Sequence, residues 1–243
     1  MLLHGALLQA HVWDFFSLDM RQDYHVRSVD LPGHGDSQWA ADGDYSRARV
    51  ADHIVGLIEH LDLRSLVLVG HSFGGGIAIL TAARRPSRVR ALVLVDSTML
   101  PTGQTGFRAQ LHPGPNVFAS LQEFARHVAP ARGRDDLARQ AVRLRWSTRE
   151  LPDGTWTWKY DPVLRSPRGA SDFDEMWVAL GTLTQPVLFV CAGRRSHLSD
   201  LARERLLTLP NVQLAVVPEA GHNVMSDDPL TFTRTVREFL STV

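Results

Sequence analysis

A serine becomes a useful nucleophile only when a turn lifts it clear and a base takes its proton. The stretch Gly70-His71-Ser72-Phe73-Gly74 meets the first condition. It interrupts the apolar run "LVLVG" and opens the apolar segment "GGGIAIL". A G-x-S-x-G sequence between a strand and a helix is a nucleophile-elbow pattern. So sharp a turn drives the serine backbone toward positive φ. Strand and helix then pass so closely that side chains at the flanking positions would collide, which explains the glycines. The N–H of Phe73, at the helix start, is placed to hold an oxyanion formed by attack of Ser72, with the positive end of the helix behind it.

The chain order that goes with such an elbow is Ser, acid, His. His222, in "PEAGHNVMSDDP", follows the last strand-like run and is the candidate base. His197 follows the preceding strand and is the inferior candidate. A second oxyanion donor is expected from an early loop. "LLHGALLQAHVW" offers His4-Gly5 after an apolar run, making the N–H of Ala6 the donor and Leu7 the fallback. Phe73 and Met225 flank these residues and fit substrate contact or core packing equally. Asp30 and His34, in "DLPGHGDS", read as turn-stabilising. There is no H-E-x-x-H and no Cys/His cluster with zinc spacing, so no metal site is expected.

The elements that must carry these residues alternate. "HVRSVD", "SLVLVG", "RALVLVD", "PVLFVCAG" and "NVQLAVV" read as strands. Helices are expected over Tyr45–Leu63, Phe73–Arg84, "LARERLLTL" and "PLTFTRTVREFL". Strands that are apolar throughout argue for a parallel sheet covered on both faces, with functional residues at the carboxyl ends of strands. The interval after Ser97, up to Gln185, breaks this rhythm and reads as a largely helical insertion. Arg139–Arg149 is partly helical and basic, and "DGTWTWKYDP" reads as an aromatic loop. Trp146, Trp156, Trp158, Tyr160, Phe173 and Trp177 could line a pocket, although cap packing is the simpler reading for most of them.

The chain has 243 residues, 44% hydrophobic and 21% charged, enough for one large domain with an insertion. With 26 basic against 26 acidic residues there is no net field to attract nucleic acid or an anionic membrane, so neither is an expected partner. Lys159 is the only lysine, which disfavours Schiff-base chemistry. Cys191 is the only cysteine and sits in an apolar run, as a buried strand residue would. No leader or membrane-spanning run is read, and a soluble cytoplasmic protein is expected.

Taken together, "LLHGA", "DLPGHGDS", "GHSFGG" and "EAGH", in that order, resemble the α/β-hydrolase family over nearly the whole chain. The resemblance implies a mostly parallel, doubly wound sheet, a helical cap and Ser-His-acid chemistry without a cofactor. The core would be residues 1–97 and 186–243, and the cap insertion 98–185. The family's usual acid, in a G-x-x-D turn after the second-last strand, is replaced here by Ser196 in "GRRS". Asp96, ending the strand "LVLVD", is the expected acid, with Ser196 helping to hold His222. Asp200 is the alternative, although "SDLARERL" suits it to a helix N-terminus. Only Met1-Leu2-Leu3 precede His4, so the expectation is either that the family's edge strands before the "HG" strand are lacking or that the start was assigned too far downstream.

The expected activity is cofactor-independent serine hydrolysis of a small carboxylic ester. A C–C bond hydrolase or a lactonase on the same triad is the enzymatic alternative. A catalytically inactive ligand-binding protein is the alternative from another class. Fold does not fix substrate, and neither the ester nor the oligomeric state is read from the sequence.

Overall fold

The structure, a computed structural model, describes residues 1–99, 114–132, 144–165, 173–194 and 196–243. Nine strands are described: β1 (Leu2–Leu3), β2 (Ser28–Val29), β3 (Leu66–His71), β4 (Val89–Val95), β5 (Val117–Phe118), β6 (Thr148–Glu150), β7 (Trp156–Trp158), β8 (Val187–Ala192) and β9 (Val212–Val217). The helices used below are α1 (Asp14–Met20), α2 (Arg47–His60), α3 (Phe73–Arg84), α4 (Leu121–Arg132), α5 (Phe173–Thr182), α6 (Asp200–Leu207), α7 (Val224–Asp227) and α8 (Pro229–Leu240).

Six strands form one sheet in the order β2-β1-β3-β4-β8-β9, and every pairing in it is parallel. Alternate side chains of the apolar strands enter opposite cores. Leu68, Leu92, Leu94, Phe189 and Cys191 pack with Ile54, Ile58, Ile77 and Leu206 on one face. Val69, Val93, Val95, Leu188 and Val190 pack with Trp13, Phe16, Phe232 and Val236 on the other. The sheet is therefore doubly wound, as expected. Among the described residues no helix is long and apolar enough to cross a membrane.

The described buried apolar residues of 98–185 fall in two clusters. The part over 117–164 forms a separate cluster of Phe118, Phe124, Leu144, Trp158, Tyr160 and Leu164, which takes in Leu7 and Tyr45 from the core. Helix α5 instead sends Phe173, Met176, Trp177 and Leu180 into the main core beside α3. "DGTWTWKYDP", expected as a loop, supplies β7, the middle strand of an antiparallel β5-β7-β6 sheet. Trp158 and Tyr160 are buried there, the packing role expected of them, and Trp146 stacks on His11 at 3.9 Å. Of the basic stretch Arg139–Arg149, residues 139–143 lie outside the described residues. The small sheet is tied to the core through Tyr45 Oη, which donates to Asp161 (2.7 Å), and Lys159, which pairs with Asp36 (2.8 Å).

The glycines around Ser72 are there for close approach. A Cβ on Gly70 would lie 2.4 Å from the carbonyl oxygen of Gly74, and one on Gly74 would lie 2.4 Å from that of Leu3 in β1. Backbone carbonyls cannot rotate aside, so Gly74→Ala is expected to lower stability by about 2–3 kcal/mol in urea unfolding. Gly181→Ala is the control: nothing lies within 4 Å of its Cβ position in α5. That change should be neutral or stabilising by up to about 1 kcal/mol.

Candidate active site

Strand β3 ends at His71, and α3 begins at Phe73, leaving Ser72 alone in the turn with φ 50 and ψ −112. Phe73 is the first residue of α3, so its N–H is one of the donors without an intrahelical acceptor. The turn over His4–Leu7 lies against this elbow: a Cβ on Gly5 would be 3.3 Å from Ser72 Cβ. Leu7 has φ 60 and Asp96 has φ 40. Three of the four described non-glycine residues at positive φ are thus Leu7, Ser72 and Asp96. Each costs on the order of 1 kcal/mol or more, and such strain gathers at functional sites.

Asp96 leaves the carboxyl end of β4 with its side chain fully buried. Its Oδ2 accepts from His222 Nδ1 (2.7 Å) and from the N–H of His197 (3.3 Å). Its Oδ1 accepts from Ser196 Oγ (2.6 Å) and the N–H of Ala192 (3.2 Å). Burial pushes this carboxyl up, but the bonds from His222, Ser196 and Ala192 together outweigh it and hold it below its usual value. Because a carboxylate only accepts, His222 carries its proton on Nδ1, and Nε2 is the basic nitrogen. Ser196 therefore holds Asp96 directly, and His222 only through it. Asp200 is elsewhere: it opens α6 beside the N-cap Ser199 and is exposed.

Ser72 Oγ makes no hydrogen bond to His222 among the described residues, a bond that is often long before substrate arrives. The link between the two runs through His71. Its Nε2–H donates to the carbonyl of His222 (2.8 Å), and the two rings lie 4.6 Å apart. On the other imidazole, His197 stacks on His222 at 3.8 Å with the ring planes 20° apart. Neither contact was legible in the sequence, where His71 is only the variable residue of the motif. Asp96, His197 and His222 bring possible ligand atoms within 4.8 Å of one another. In stacked rings, however, the in-plane lone pairs run nearly parallel and do not converge on one ion.

The remaining candidates make contacts within the fold. Asp30 accepts from the N–H groups of Ala10 (2.7 Å) and Asp36 (3.0 Å). His34 donates from Nδ1 to the Pro32 carbonyl. Phe73 and Met225 are both buried in the cores, with the Arg47 guanidinium 5.2 Å from the Phe73 ring. Cys191 is buried in β8. A groove of about 1010 Å³, lined by His11, Asp14, Tyr24 and Trp146, does not include Ser72, Asp96 or His222.

Two buried histidines must stay neutral. Burial lowers His71 to about 3 and His4 to about 4, from an ordinary 6.5. His4 is fixed as one tautomer, donating from Nδ1 to Gly5 and accepting at Nε2 from Leu31. Between pH 6.5 and these values the unfolded chain binds more protons, so stability falls as pH falls. At pH 5 each histidine should cost roughly 2 kcal/mol relative to pH 7. Urea melts at the two pH values check this, and His71→Asn should narrow the gap by about half.

These features define the class of protein. An alpha/beta hydrolase fold family model matches residues 1–229, and the chain belongs to that family. It is 32% identical to an esterase of Mycobacterium tuberculosis, Rv0045c, over 99% of this chain and 82% of the relative. It is 30% identical to a 2-hydroxymuconate semialdehyde hydrolase of Pseudomonas putida, over 90% of this chain and 78% of that one. A solved structure of the M. tuberculosis esterase superposes with a TM-score of 0.85, over 99% of this chain and 84% of that one, at 30% identity. The protein is accordingly a hydrolase on the α/β-hydrolase fold.

Proposed function

We propose that this protein is a serine hydrolase that cleaves small carboxylic esters through Ser72, His222 and Asp96. The observation that carries the reading is the 2.7 Å bond from His222 Nδ1 to the fully buried Asp96, in a chain whose elbow serine sits at φ 50. His222 Nε2 takes the proton of Ser72 Oγ as the oxygen attacks the ester carbonyl. The N–H groups of Phe73 and Ala6 hold the oxyanion. Support for Ala6 is that its neighbour Gly5 touches the elbow. Collapse breaks the C–O bond, and His222 returns the proton to the leaving alkoxide. Water, deprotonated by the same nitrogen, then attacks the acyl-enzyme and releases acid and free serine. Asp96 stabilises the imidazolium throughout, and Ser196 holds Asp96. No step asks for a metal or an organic cofactor. A cytoplasmic location belongs to the same reading.

The esterase relative supports the ester. The P. putida relative supports the second reading, hydrolysis of a C–C bond by the same residues. The deciding experiment offers the purified protein p-nitrophenyl esters, a lactone and a vinylogous β-diketone, with fluorophosphonate labelling in parallel. Labelling with fast turnover of short esters is the expected result. Preference for the diketone would replace the ester reading by the C–C one. A folded protein that neither labels nor turns over would be a ligand-binding member of the family.

A further inference from the structure

We propose that His197 is a positioning residue for His222: its ring, lying flat on the imidazole, keeps the general base in register with Asp96 and covers the cation formed in catalysis with an aromatic face. This rests on the reading of Ser72, His222 and Asp96 as a triad. The stack is close and nearly parallel, at 3.8 Å and 20°. The same residue is anchored at its backbone, because its N–H donates to Asp96 Oδ2, the oxygen that also accepts from His222. Ser196, one residue earlier, fixes the other carboxylate oxygen and accepts from the N–H of Leu198. The loop after β8 therefore holds the acid through two residues and lays a ring over the base with one of them.

The chemistry follows from the stack. His222 must keep Nδ1 on Asp96 while Nε2 collects and returns a proton, and a ring packed on its face resists rotation away from that geometry. When His222 becomes a cation, the face of a neutral imidazole attracts it, as aromatic faces do. A proton on His197 would instead set a second positive charge against the first. Other titratable and charged groups near the pair are found, among the described residues, on the elements around it. Asp96 comes from β4, and the buried His71 from β3. Beside the His222 loop, Asp227 of α7 accepts from the N–H of Gly221. Arg203 of α6 interacts with Cys191 of β8.

The test is a series at position 197 with steady-state kinetics across pH on the best ester. His197→Ala should lower kcat about tenfold with KM within twofold, because the base loses its register and the substrate contacts stay. His197→Phe, which restores the stack without a titrating group, should recover kcat to within about threefold of wild type. His197→Lys should lower kcat about a hundredfold and move the acid limb of kcat/KM to lower pH, since a fixed charge opposes protonation of His222. Thermal melts monitor folding, and if the alanine variant does not fold, the phenylalanine and lysine variants carry the comparison. Wild-type kcat and pH profile in His197→Ala would overturn the proposal, as would a phenylalanine variant no better than alanine or a lysine variant with an unmoved acid limb. Ser72→Ala separates the two levels. Turnover that survives it sinks the triad reading and this inference with it. Turnover that needs Ser72 but ignores position 197 sinks this inference alone.

Discussion

Asp96→Asn is expected to lower kcat/KM by about 10⁴-fold, while Asp200→Asn stays within about twofold of wild type. The reason is countable in donors. Oδ2 of Asp96 faces His222 Nδ1–H and the His197 N–H, and Oδ1 faces Ser196 Oγ–H and the Ala192 N–H. Asparagine has one acceptor oxygen and one NH2. With the NH2 toward His222, the imidazole must give up the proton on Nδ1 and carry it on Nε2, where it can no longer act as a base. With the NH2 the other way, Ser196 can turn its hydroxyl round but the Ala192 N–H cannot, and the imidazolium still loses its counter-charge. Asp200 is exposed in the first turn of α6 and shares none of these partners. Steady-state kinetics on the three proteins decide the matter, and an active Asp96→Asn enzyme would remove Asp96 from the mechanism.

Ser72→Ala should be more severe, lowering kcat by about 10⁶-fold and abolishing fluorophosphonate labelling. Its effect on stability is separable from its effect on rate. Alanine inherits the φ of 50 that serine carries, so the strain stays. Ser72→Gly removes the Cβ that makes this conformation costly and should be more stable than Ser72→Ala by about 1 kcal/mol. Paired urea melts of the two variants measure that difference directly. Equal midpoints would mean that the turn is not strained by its serine.

The elbow was legible in the sequence because everything that makes it is local: an apolar strand, a turn and an apolar helix in consecutive residues, with α3 starting and ending as the sequence predicts. The parallel sheet was legible for the same reason, from strands that are apolar on both faces. Asp96 could be singled out only because Ser196 stands where an acid was expected. The contacts of His71 and His197 with His222 were not legible. The first spans 151 residues, and a ring stack has no sequence period. Strand β7 was missed because its three residues pair with a two-residue β5 and a polar β6, too short to set up an alternation. Helix α5 lies within the insertion by sequence, and that position says nothing of which core its apolar side enters.

The His4–Leu7 turn, Ser72, Asp96, Ser196 and His222 come off β1, β3, β4, β8 and β9, and these five strands lie side by side in the sheet. Each supplies one part of the site and no strand supplies all of it. Separating any adjacent pair, such as the β4–β8 ladder from Leu92–Val187 to Val95–Val190, would dismantle the site. The proposed site therefore has no partly assembled form: loss of activity in denaturant should coincide with cooperative melting of the sheet, and turnover would serve as a meter of global folding.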